Sequence, residues 1–144
     1  MLRKRRLIRR ALLGVVAAAA ATMLVASPAA AAIDDSFQIG TPDGCAVLNF
    51  VDSGYYPPTG SNNDDFFVIH DYCADGRGVT GFAQLNYGTQ KTAHNGSGLN
   101  GAPVYWDPFG NVVGNDIISM YVCETVNNNC VEYSALAVQQ SRDG

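Results

Sequence analysis

The sequence predicts an all-β fold, an antiparallel β-sandwich of the immunoglobulin-like class held by two disulfides, and three observations carry that expectation. No helical periodicity of apolar residues occurs after residue 32. Short stretches rich in Val, Ile, Tyr and Phe alternate with clusters of Gly, Pro, Asn and Asp, the pattern of strands joined by turns. Four cysteines, an even number, fall in the same region, as in small exported domains stapled by disulfides.

Residues 1–32 read as a cleaved signal helix. Arg3, Lys4, Arg5, Arg6, Arg9 and Arg10 form a basic start, an apolar run extends from Ala11 to Ala26, and Ala29–Ala32 supplies a small-residue site for the peptidase. Cleavage is expected after Ala32, leaving residues 33–144 as a single secreted domain. The apolar run is shorter than the ~20 residues of a membrane span, and no basic stop-transfer cluster follows it, so no stable membrane insertion is expected after cleavage. The arginine pairs lie outside a good twin-arginine motif, which favours the general export route.

Cleavage changes the charge. Of nine basic residues only Arg77, Lys91 and Arg142 lie beyond the leader, against all thirteen acidic ones, a net charge of −10 for the domain. Such a surface repels phosphate backbones, so nucleic acid is excluded as a partner.

The strands follow in order. Ala46–Val51 reads as a strand, and Ser53–Asn63, with Gly54, Tyr55, Tyr56, Pro57, Pro58 and Gly60, as a loop. Asp65–Cys73 is expected to form a hairpin with Val79–Tyr87 around Ala74–Gly78. Its two partly apolar faces suit a central strand. His94–Pro103 reads as a glycine-rich loop. Val104–Trp106 and Asn111–Val113 read as strands joined by Asp107-Pro108-Phe109-Gly110, where Pro fixes φ and Gly accepts positive φ.

The stretch from Ile117 to Leu136 selects the disulfides. Placing Cys123 opposite Cys130 sets Val122 against Val131, Met120 against Tyr133 and Ile118 against Ala135, one continuous apolar face. The intervening asparagines, Asn127 to Asn129, tolerate the left-handed backbone of a turn. Cys45–Cys73 follows by elimination. Loop entropy gives about 2.5 kcal/mol for the short bridge and about 3.5 kcal/mol for the long one. A zinc site is disfavoured because no C-x-x-C occurs and neither histidine lies near a cysteine pair.

Catalytic patterns are sparse. His70 and Asp71 are strand neighbours and point to opposite faces. His94 and Ser97 lie in the glycine-rich loop without a G-x-S-x-G elbow. Glu124 and Glu132 flank the Cys123–Cys130 bridge and fall on opposite faces in the expected register, unlike a glycosidase pair. Asn62, Asn63, Asp64 and Asp65 form an oxygen-rich run that could attract calcium weakly. No cofactor and no resident metal is expected.

The aromatic residues divide. Phe66, Phe67, Phe82 and Tyr133 read as core or sheet-face residues, whereas Tyr55, Tyr56, Tyr105, Trp106 and Phe109 lie in or beside turns, where a ring can meet a ligand. Tyr105 and Trp106 alternate faces, so at most one of them serves.

His70–Asn86 (HDYCADGRGVTGFAQLN) and Gly101–Asn111 (GAPVYWDPFGN) resemble small secreted proteins of actinomycetes, a family of unknown function. The resemblance implies secretion and a β fold, and implies no catalytic residue or ligand. The cysteine spacings and reactive loop of actinomycete subtilisin inhibitors do not occur here. The expected function is a non-enzymatic binding module for a glycan, peptide or protein, outside the cell. An inhibitor or toxin-like effector acting through 53–63 or 94–103 is the alternative, and a small hydrolase comes third.

Overall fold

The computed structural model describes residues 33–142; the expected leader lies outside the described residues. Among them are nine strands and no helix: β1 (Phe37–Gly40), β2 (Ala46–Tyr56), β3 (Ser61–Asp71), β4 (Gly78–Leu85), β5 (Lys91–Asn95), β6 (Val104–Trp106), β7 (Ile117–Val126), β8 (Asn129–Tyr133) and β9 (Ala137–Gln140). They form two antiparallel sheets packed as a sandwich. The first runs β1-β2-β3-β6; the second runs β5-β4-β7-β8, with β9 also on β7.

Alternation along the strands builds the core between the sheets. Leu48, Phe50, Phe67 and Ile69 enter it from the first sheet, and Val79, Ala83, Ile118, Met120 and Val122 from the second, each at most 1% exposed. Burial of one such large side chain is worth about 1.5–3 kcal/mol. At Gly81 the first sheet's side chains come close to the second sheet's backbone: a Cβ there would stand 3.0 Å from Ile69 Cδ1 and 3.1 Å from Leu48 Cδ1.

Both disulfides form as expected, Cys45–Cys73 and Cys123–Cys130. The register around the second differs. Cys123 lies opposite Tyr133 and Glu124 opposite Glu132, whereas Thr125 lies opposite Cys130, with a shift between Glu124 and Thr125. Val131 is the extra residue of this bulge, and the disulfide spans the diagonal on the outer face. The expected continuous apolar face therefore breaks at residue 133. Ile118 and Met120 are instead flanked by β9, facing Gln139 and Ala137. The turn holds as read, with Asn127 at φ 51° and Asn128 at φ 63°.

Three further expectations are corrected. Asp65–Cys73 and Val79–Tyr87 do not form a hairpin: β3 pairs with β2 and β6, and β4 pairs with β5 and β7. Residues 73–77 cross between the sheets, a gap of about 10 Å within reach of five residues at ~3.3 Å each. The stretch 53–63 is the end of the β2–β3 hairpin and not a loop, with residues 53–56 registered on residues 61–64. Asn111–Val113 forms no strand; Val112 is buried and its N–H donates to Asp65 Oδ2 at 2.6 Å.

Candidate functional site

Tyr56 and Tyr105, 49 residues apart in sequence, meet on the outer face of the first sheet. Tyr105 lies opposite Val68 on β3, and Val68 alternates with the core residues Phe67 and Ile69. Simple alternation would point Tyr56 the other way, because it shares parity with Leu48 and Phe50. The alternation is reset within the hairpin: a Cβ on Gly54 would lie 3.2 Å from Val51 Cγ1 and 3.6 Å from Phe66 Cζ, so Gly54 shares their outer face. The reset coincides with Asp65, whose φ is 66°. Gly54 leaves room beside Phe66, and Tyr56 packs over that ring.

The three rings form one cluster. Tyr56 and Phe66 centroids are 5.1 Å apart, Tyr56 and Tyr105 6.2 Å apart edge to face, and Phe66 and Tyr105 6.3 Å apart. Phe66 is buried beneath, while Tyr56 and Tyr105 are half-buried, each with part of its ring open. Polar groups rim the cluster. Asn63 Nδ2 donates to Asp107 Oδ2 at 3.1 Å, and Asp107 Oδ1 accepts from the N–H of Gly110 at 2.9 Å. Burial first, and then the charge of Asp107, hold the Tyr56 hydroxyl protonated above its usual range. Farther along the same face His70 stacks on Tyr72, with centroids 5.0 Å apart and planes 9° from parallel.

The other aromatic candidates separate. Trp106 and Phe109 turn inward and pack against Phe67 at 5.4 and 6.0 Å, beside the core. Tyr55 is 62% exposed on the β2–β3 hairpin and joins no ring cluster among the described residues. Phe82 and Tyr121 form a group that the sequence reading did not assemble. They face each other across β4 and β7 on the outer face of the second sheet, 4.4 Å apart and 7° from parallel, with Tyr133 at 6.4 Å from Tyr121. The missing signal was the β4–β7 pairing, which is distant in sequence.

The oxygen-rich run 62–65 does not converge. Asn63 bonds Asp107, Asp65 is turned into the fold toward Val112, and Asp64 is exposed.

A second feature lies at the opposite end of β3. A polar cleft of about 340 Å³ is lined by residues 73–78, 94–98 and 125–128, and contains His94, Ser97, Arg77 and Asn128. His94 Nδ1 lies 2.9 Å from Thr80 Oγ1, its cross-strand neighbour. His70 and Asp71 face apart as expected. Asp71 Oδ1 accepts from the N–H of Cys73 at 3.3 Å, while His70 remains with Tyr72. Among the described side-chain hydrogen bonds His94 pairs with Thr80 and with no carboxylate. Glu124 and Glu132, expected on opposite faces, stand directly opposite each other because of the bulge, and both approach Arg77.

Among the described residues no helix is long and apolar enough to cross a membrane. Comparison of the chain with protein-family models, curated proteins and solved structures yields no match.

Proposed function

We propose that this chain is an exported binding module that holds an uncharged glycan against Tyr56 and Tyr105 on the outer face of the first sheet. The observation that carries the reading is their convergence over a buried Phe66, with open ring surface beside the Asn63–Asp107 pair. Sugar rings present C–H faces that stack on aromatic rings, and their hydroxyls need nearby acceptors and donors. Asp107 and Asn63 supply both. The edge-to-face rings make a cradle for one polymer chain rather than a flat platform.

Charge selects among glycans. Thirteen acidic residues against three basic ones beyond residue 32 disfavour anionic polymers and favour neutral ones. The basic and apolar start of the chain, together with the two disulfides, supports export through cleavage after Ala32 into an oxidising compartment.

The test is pelleting of the oxidised protein with insoluble cellulose, xylan and chitin, each compared with Tyr105→Ala and Tyr133→Ala. Saturable pelleting that Tyr105→Ala weakens at least tenfold, and that Tyr133→Ala retains, is expected; tenfold is about 1.4 kcal/mol. Equal pelleting of the three proteins would place the contact elsewhere, and no pelleting on any polymer would remove the glycan assignment.

A further inference from the structure

Carboxylates crowd the end of β7. Glu124 extends inward from β7 with its side chain only 1% exposed, and Oε2 accepts from Arg77 Nη1 at 2.6 Å. Oε1 is equally buried and has no hydrogen-bond donor. A carboxylate oxygen of Glu124 lies within 4.8 Å of one of Asp43, and Oε1 is the oxygen that Arg77 leaves without a partner. Asp43 sits in the turn before β2, where its Oδ1 already accepts from Thr41 Oγ1 at 2.7 Å and from the N–H of Cys45 at 3.0 Å.

A metal ion does not fit this group. The Cys45 sulfur is in a disulfide and offers no thiolate. Two carboxylates fall well short of the ~6–8 oxygen ligands of calcium, and Arg77 already occupies one side of Glu124. Glu124 is buried and Asp43 is exposed; two ionised carboxylates this close repel, and neither can donate a hydrogen bond. A single proton removes both defects, since an O–H donated to a carboxylate is among the stronger hydrogen bonds.

We propose that Glu124 carries a proton on Oε1 and donates it to the Asp43 carboxylate, forming a proton-dependent latch between the 41–45 turn and the end of β7. The latch joins two parts of the chain that are already cross-linked separately, one through Cys45–Cys73 and the other through Cys123–Cys130. The charged groups around Glu124 come from three elements besides its own. Asp43 approaches from the turn before β2, Arg77 and Asp75 from the β3–β4 connection, and Glu132 from β8.

The electrostatics assign the proton to Glu124. Burial is the largest influence and raises its pKa above the ordinary 4.5; Arg77 opposes this, and Asp43 adds to the rise. Asp43 is held below its ordinary 3.8, first by the Cys45 N–H and then by Thr41. A carboxyl whose folded pKa is raised contributes stability that is complete below its unfolded value. That contribution is lost as pH rises through the folded value.

Carbon-13 NMR titration of the side-chain carboxyls in the oxidised protein tests the latch directly, because Glu124 and Glu132 are the chain's two glutamates. Glu124→Gln assigns the resonance. The expected midpoint for Glu124 lies above 4.5 and falls in Asp43→Asn, where an amide donor replaces the carboxylate. A Glu124 midpoint at or below 4.5, or one that Asp43→Asn leaves in place, would overturn the proposal. Thermal melts supply the second reading. Between pH 4.5 and 8 the unsubstituted protein should lose melting temperature more steeply than Glu124→Gln, whose amide donates at every pH. Parallel slopes would contradict the latch.

Discussion

Asp65 shapes the candidate site from inside the sheet. Its positive φ of 66° accompanies the change of face that brings Tyr56 over Phe66, and its Oδ2 anchors the N–H of Val112. Asp65→Ala should therefore cost about 2–4 kcal/mol, from a buried N–H left without its acceptor and a strained backbone. Asp65→Asn, which tolerates the same φ, should cost less; melts of the two variants check the order. His70 gives a pH signature of opposite sign to Glu124. Burial lowers its pKa below 6.5, so the folded protein resists protonation. Its contribution is complete above pH 6.5 and is lost as pH falls below that value toward the folded pKa. His70→Gln should flatten the melting profile below pH 6.5, and an unchanged profile would place the acid sensitivity elsewhere. Of the residues that form the candidate site, Tyr56 and Tyr105 stand beside turns in the sequence, as Tyr55, Trp106 and Phe109 do, and alternation sets Tyr105 and Trp106 on opposite faces without telling which one faces outward. The facing of Tyr56 was not legible, because it depends on one residue's left-handed backbone rather than on the pattern of side chains.

The strands differ in how far local pattern determined them. Val104–Trp106 occurs with the bounds its sequence predicts, and the Asn127-Asn128 turn follows from the backbone tolerance of asparagine. The short edge strands β1, β5 and β9 carry few apolar residues and were not legible; β5, for example, is Lys-Thr-Ala-His-Asn. The β7–β8 register differs from the expected one because the cysteines are a diagonal pair and not a directly facing one, with Thr125 opposite Cys130, and Val131 then adds an extra residue that alternation cannot reveal. The disulfide survived that misreading, since a diagonal pair still brings the two Cα atoms to 5.6 Å. The bridges enclose unequal loops, with sequence separations of 28 and 7. Loop entropy makes the longer one worth about 1 kcal/mol more. Replacing Cys45 and Cys73 by Ser should lower the denaturant midpoint further than replacing Cys123 and Cys130, and the reverse order would show that native packing outweighs chain entropy. Gly81→Ala should cost about 1–3 kcal/mol, since the new methyl crowds Ile69 and Leu48 of the facing sheet.

At the scale of the whole molecule, the decisive event is the crossing of residues 73–77 from one sheet to the other. A local hairpin between β3 and β4 would have satisfied their sequences separately. It would also have taken one of the two edges of β4, which pair with β5 and with β7, the second placing Val79, Ala83, Met120 and Val122 in one core. The crossing leaves β3 central in the first sheet, between β2 and β6. On its outer face Tyr56 and Tyr105 pack against Phe66, which creates the aromatic cluster. Fold class and disulfide pairs were thus open to reading from short-range pattern, while the strand order that makes the site rests on long-range packing. The most direct test of the glycan assignment is amide NMR of the oxidised protein titrated with soluble neutral oligosaccharides of cellulose, xylan and chitin. Shifts confined to Phe66, Val68, Tyr105, Asp107 and the hairpin around Tyr56 are the predicted result. Shifts centred on residues 73–78 and 94–98 in the polar cleft, or no shifts with any of the sugars, would contradict it.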